Sequence, residues 1–175
     1  MQIKDILIQA VGFLGTVVFF FSYQCKSNKN LFRCQFVSYL LYTTHLLMLG
    51  ALTGGISYII NMFRSFCLGS ENKFLKGKPV CIVICVLQLI TLAVTWGGFP
   101  SVLPVAANIA ATIGGYTYNA RKIRIAGMFV NSPLWIIYDI IIGSWAGILD
   151  EAVSVLSMII SVVRYGWKNL DKTEI

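Results

Sequence analysis

The chain predicts an all-α integral membrane protein: seven transmembrane helices in a 3+1+3 arrangement, two three-helix units of like orientation joined by a fourth helix. Three observations predict it. The 175 residues are 57% hydrophobic and only 12% charged, with a mean hydropathy of +0.76, which is too apolar for a water-soluble domain. Apolar runs of the length a bilayer core requires, about 17 to 25 residues, recur along almost the whole chain. The second half also repeats polar positions of the first at an offset of 93 residues.

The runs cover residues 6–23, 31–49, 52–68, 80–96, 102–118, 126–143 and 147–165. They divide the chain into a first triple-helix bundle (1–70), a cytosolic loop with the linking helix (71–100), and a second bundle with a short cytosolic tail (101–175). The first run is long enough to span and is followed by no small-x-small cleavage site, so it reads as a helix rather than a signal peptide. Almost no sequence remains for a soluble domain.

A net charge of +7 would suit nucleic acid only on a folded basic surface, and here the charges lie in short loops. They report orientation instead. Lys26, Lys29 and Arg33 flank the first loop, and Arg64, Lys73, Lys76 and Lys78 the third. Arg121, Lys122 and Arg124 form the fifth, and Arg164, Lys168 and Lys172 follow the last span. All of these fall on one side and only Lys4 on the other. The positive-inside rule then places the N-terminus outside and the C-terminus in the cytosol. Arg64 and Arg164 are expected to snorkel to the cytosolic headgroups.

The five cysteines, Cys25, Cys34, Cys67, Cys81 and Cys85, lie near the cytosolic helix ends and are expected to be reduced. Cys81 and Cys85 stand one turn apart, but no histidine or carboxylate beside them completes a metal site. Neither metal nor cofactor is expected. Enzyme chemistry fails on inventory: there is no HExxH, no GxSxG and no phosphate loop, and the last span has no interior lysine for a Schiff base.

The offset of 93 places Gly50 on Gly143 and Gly54 on Gly147, both in short outer turns, "LGALTGG" and "IGSWAGI". It also pairs Ser38 with Asn131, Tyr42 with Trp135 and His45 with Tyr138. Each triplet has the spacing i, i+4, i+7, one face of a helix. Two three-helix units separated by one helix have the same direction in the membrane, which makes the repeat parallel.

The strings "FVSYLLYTTHLLMLGALTGG" and "RIAGMFVNSPLWIIYDIIIGSWAGILDE" resemble the YgjV-like family of bacterial inner-membrane proteins, over nearly the whole chain. The 3+1+3 pattern resembles the SWEET, SemiSWEET and PQ-loop (MtN3-like) transporter superfamily. These resemblances imply a multi-pass protein of the bacterial inner membrane with a substrate site between the two bundles, held by aromatic faces and asparagine amides. Asn61, on the third span, lies at a depth similar to the asparagine that SWEET proteins use there. The chain departs from the superfamily in its prolines, since Leu40 stands where the repeat has Pro133 and the first span has no proline. Pro133 alone is expected to kink its helix, freeing a carbonyl near Phe129.

The expected site is a cavity between the second and sixth spans, lined by Tyr42, His45, Trp135, Tyr138 and Asp139. Asn61 and Asn108 reach in from the third and fifth spans, with Asn131 below. An ionised aspartate at a helix centre costs about 2.5 to 3.5 kcal/mol, but Asp139 is four residues from Gly143, roughly 6 Å of rise. It can therefore reach outer water or face the cavity with His45, the chain's single histidine. Asp150 and Glu151 are expected at the solvated start of the last helix, where negative charge is favourable. The function these features suggest is a transporter or facilitator for a small polar molecule, working in the lipid bilayer, alone or as a homo-oligomer, without nucleic acid. The alternative is a non-transporting sensor or accessory subunit. Trp135 facing a wet cavity favours the first; Trp135 buried in packing favours the second.

Overall fold

The computed structural model describes residues 3–25, 27–167 and 170, with side chains from residue 6 onward. Lys26, Lys168 and Lys172 of the charge argument lie outside the described residues, as does the side chain of Lys4. The described chain is helical throughout: α1 (Ile3–Gln24), α2 (Asn28–Met48), α3 (Leu52–Gly69), α4 (Lys78–Val94), α5 (Val102–Tyr116), α6 (Ala120–Ile142) and α7 (Trp145–Tyr165). A 3-10 turn, Phe99–Ser101, precedes α5.

Local chemistry sets the helix ends. The side chains of Ser27, Asn119 and Ser144 accept the backbone N–H of Asn30, Lys122 and Gly147, which caps the starts of α2, α6 and α7. Pro79 sits in the first turn of α4, where a missing N–H costs nothing. Gly50 and Gly143, equivalent at the offset of 93, both take positive φ, +76° and +71°. Glycine has no Cβ to strain there, so the chain reverses tightly from α2 into α3 and from α6 into α7.

One helix is irregular. Within α6 the segment Gly127–Asn131 is wound as a π-turn, and the Ser132 N–H donates to the Gly127 carbonyl five residues back. Pro133 follows directly and cannot donate to the Phe129 carbonyl. The proline and the wider turn are one device, a local loosening of the ladder. α2, with Leu40 at the equivalent place, has no such segment.

The principal packing pairs are α1 with α2, α2 with α3, α3 with α5, α5 with α6, α6 with α7 and α7 with α1, while α4 lies against α3 and α5. These six helices close a ring in which α2 stands opposite α6. Exchanging α1, α2 and α3 with α5, α6 and α7 leaves the set of pairs unchanged. The short connections make successive neighbours antiparallel, so the basic loops gather at one end of the ring.

The distribution of polarity is inverted relative to a soluble protein. Val94 is 78% exposed and Phe129 71%, while His45 and Gln88 are fully buried. Apolar side chains face outward and polar ones inward, as a hydrocarbon surround requires. Ile6–Gln24, Ala120–Ile142 and Trp145–Tyr165 are long and apolar enough to cross a membrane, and Lys78–Val94 is apolar but shorter. α2 is long but carries Lys29, Arg33, Gln35 and His45.

Candidate functional site

The ring's centre is built from the residues the repeat pairs, and their contacts repeat as well. Ser38 Oγ donates to the Gly15 carbonyl of α1 at 2.9 Å, and Asn131 Nδ2 donates to the Ala107 carbonyl of α5 at 3.0 Å. Tyr42 packs its ring against Gly15, and Trp135 Nε1 donates to Asn108 Oδ1 at 3.3 Å; Gly15 and Asn108 are themselves 93 residues apart. The third pair crosses between the halves. His45 of α2 lies 2.9 Å from Ser144 Oγ at the start of α7 and 2.8 Å from the Ile8 carbonyl, while Tyr138 of α6 accepts the Gly54 N–H near the start of α3 at 3.2 Å. Each half braces the other's third helix.

Aromatic rings fill the space between. Tyr58 of α3 stacks on Tyr42 at 5.5 Å and meets Tyr39 at 5.2 Å and Trp135 at 4.7 Å between centroids. Such pairs add to the free energy of burying the rings themselves. Beside them Asn61 Nδ2 donates to Asn108 Oδ1 at 2.7 Å and Gln88 reaches Asn61 Oδ1 at 3.4 Å. Asn108 is therefore shared by α3, α5 and α6.

Five charged side chains are buried in places that hydropathy did not indicate. Arg64 does not snorkel; it is 3% exposed, donates to the Tyr39 hydroxyl at 2.9 Å and has its guanidinium over the Tyr39 ring. The reason is helical phase, since Arg64 lies three residues after Asn61 and close to its inward face. Asp150 and Glu151 are not solvated, because α7 begins at Trp145 and places them in its second turn, both buried. Asp139 does not reach outer water: it is buried, its carboxylate lying directly against Gly147 of α7. Asp150 stands near Tyr42 and Thr16 and Glu151 near Ser132, and Asp150 Oδ1 has no hydrogen-bond partner among the described residues. Arg124 is also buried, with donors to Ser161 Oγ and to the Ala120 and Tyr23 carbonyls.

Seven of the eight expected site residues meet here and are buried: Tyr42, His45, Asn61, Asn108, Trp135, Tyr138 and Asp139. Asn131 is half-buried. Tyr42 meets His45, Trp135 meets Tyr138, Asn108 is bonded by both Asn61 and Trp135, and Trp135 is 2% exposed. The described interior holds a cavity of about 20 Å³ nearer the basic loops, bordered by Gln35, Tyr39, Arg64 and Asn131 among others. Two larger hollows lie on the outside of the ring. One, of about 530 Å³, is bordered by Arg33, Phe36, Phe66 and Glu71; the other, of about 350 Å³, runs between α1 and α7 and is apolar. At the first, Lys29 is paired with the exposed Glu71 and holds its carboxyl below the usual range.

Tyr58, Arg64, Arg124, Asp150 and Glu151 were missed as site residues from sequence. For Glu151 a signal was present: Gly147, Glu151, Ser154 and Met158 recur at i, i+4, i+7, i+11, a helix face of mostly small or polar residues. No curated protein and no solved structure matches the chain. Residues 6–169 match the Imp-YgjV family, described as bacterial inner membrane protein, and the chain belongs to that family.

Proposed function

We propose that this inner-membrane protein is a small transporter or facilitator for a polar metabolite, related in design to the SWEET and PQ-loop superfamily and held here with its route closed. On this reading all seven helices span as two parallel triple bundles around α4, with the N-terminus outside and the basic loops in the cytosol. The carrying observation is the interior. Equivalent polar and aromatic residues of α2 and α6 meet between the halves beside three buried carboxylates and Arg64. Intramembrane ionisable groups are costly and mark solute or proton paths. The π-turn and Pro133 give α6 a place to bend, and aromatic faces with amides are what orient a solute in a mostly apolar pocket.

A second reading has its own observation. Trp135 is packed against Tyr58 and Tyr138, which suits a sensor or accessory subunit that never opens. Proteoliposome swelling separates them. A transporter admits at least one polar solute faster than empty liposomes, and Trp135→Ala or Asn61→Ala slows that entry about tenfold, the loss of one good contact; equal rates for every solute leave the second reading. Single-cysteine labelling at positions 72 and 121 against 98 and 145 tests the orientation. Labelling of position 121 from outside overturns it.

A further inference from the structure

Resting on the transport reading, we infer that the solute is a carboxylate monoanion and that Arg64 receives its charge in the small cavity beside the aromatic layer. Arg64 is 3% exposed, yet its neighbours are neutral: the Tyr39 hydroxyl at 2.9 Å, Thr112 Oγ1 at 3.4 Å and the Asn108 carbonyl at 3.5 Å. Its Nε–H has no partner among the described residues. A guanidinium removed from water needs an opposite charge or a full set of acceptors. Among the described residues the ion pair is Lys29 with Glu71, far from this site. None of the buried acids Asp139, Asp150 and Glu151 forms an ion pair with Arg64.

The ligand class follows from the shape and the charge. The cavity holds about 20 Å³ and Arg64 borders it together with the amides of Gln35 and Asn131. That is room for one water, or for the oxygen end of a carboxylate once the π-turn of α6, which also borders it through Gly127, gives way. A guanidinium offers a planar fork of donors that matches a carboxylate. A doubly charged phosphate would want a second cation, and Arg124, the other buried arginine, already has its donors occupied by Ser161, Ala120 and Tyr23. Asp139, Asp150 and Glu151 lie near Gly147, Tyr42 and Ser132 and form no ion pair with Arg64. No carboxylate pairs with Arg64 among the described residues, and the anion settles against its open donor.

The test uses full-length protein in detergent and two matched probe pairs, lactate against lactamide and gluconate against glucose. Thermal unfolding is followed as each is titrated at constant ionic strength, since a bound solute raises apparent stability by mass action. A saturable rise with lactate or gluconate, and none with its neutral mate, is the expected result. Arg64→Gln should abolish that rise and Arg64→Lys weaken it about tenfold, because lysine keeps the charge but not the fork. If Arg64→Gln does not fold, the wild-type contrast within each pair still decides. Glucose or lactamide binding as well as its charged mate overturns the anion inference and leaves the transport reading standing. Failure of both carboxylates while other polar solutes enter proteoliposomes does the same. Failure of every solute in both assays removes the two together.

Discussion

The two three-helix halves agree in their braces and differ in their charges. Ser38 and Asn131, Tyr42 and Trp135, His45 and Tyr138 occupy matching places and make matching kinds of contact. Where the halves part, Leu46 faces Asp139, Ser57 faces Asp150, Tyr58 faces Glu151 and Arg64 faces Ser157 at the same offset. Among the described residues the three buried acids belong to the second half and the guanidinium beside the aromatic layer to the first. The positions that kept their type hold the ring together. The positions that diverged make its interior electrically uneven.

The largest expected effect tests the difference between α2 and α6. Leu40→Pro should destabilise the protein by about 3 kcal/mol or more, read as a lower unfolding midpoint in detergent, since α2 has no π-turn to absorb the ring. Leu40 is 52% exposed, so the loss would come from the backbone. Pro133→Leu should change stability by less than about 1 kcal/mol, because residue 133 regains a donor for the Phe129 carbonyl. Equal losses for the two would erase the distinction between the helices.

A middle-sized effect tests the acid. A Cβ at Gly147 would overlap the Asp139 carboxylate, so Gly147→Ala should cost about 1 to 3 kcal/mol. Adding Asp139→Ala should recover a good part of it, a coupling expected of touching residues. Additive losses would mean that the carboxylate lies elsewhere. The smallest effect sharpens the shared part: Tyr138→Phe removes the bond from the Gly54 N–H and should cost about 1 kcal/mol in the same unfolding measurement. A loss near zero would show that this brace carries no weight.

Much of the architecture was legible because hydropathy and turn chemistry are local. The run expected at 31–49 became Asn28–Met48, and that at 147–165 became Trp145–Tyr165. The expectation at 126–143 began too late, for the charged stretch Ala120–Ala126 is helical and part of the same rod. Hydropathy reads charge as an end of a span, whereas Arg124 turns inward and finds Ser161. The repeat named residues that do meet at the centre, since an offset carries helix phase with it. It could not find Arg64, Asp150 or Glu151, which have no charged counterpart in the other half. Nor could it say whether the centre was open, because packing depends on rotamers and neighbours rather than on spacing.

His45 has one partner on α1 and the other, Ser144, 99 residues further along the chain. During synthesis the N-terminal half therefore emerges with a buried polar ring only half satisfied, and α2 is among the helices not apolar enough to qualify as a membrane span by itself. The imidazole gains its second partner only when Ser144 is in place. A truncation before residue 144 would remove the Ser144 hydroxyl and leave the imidazole with the Ile8 carbonyl as its one remaining hydrogen-bond partner among the described residues.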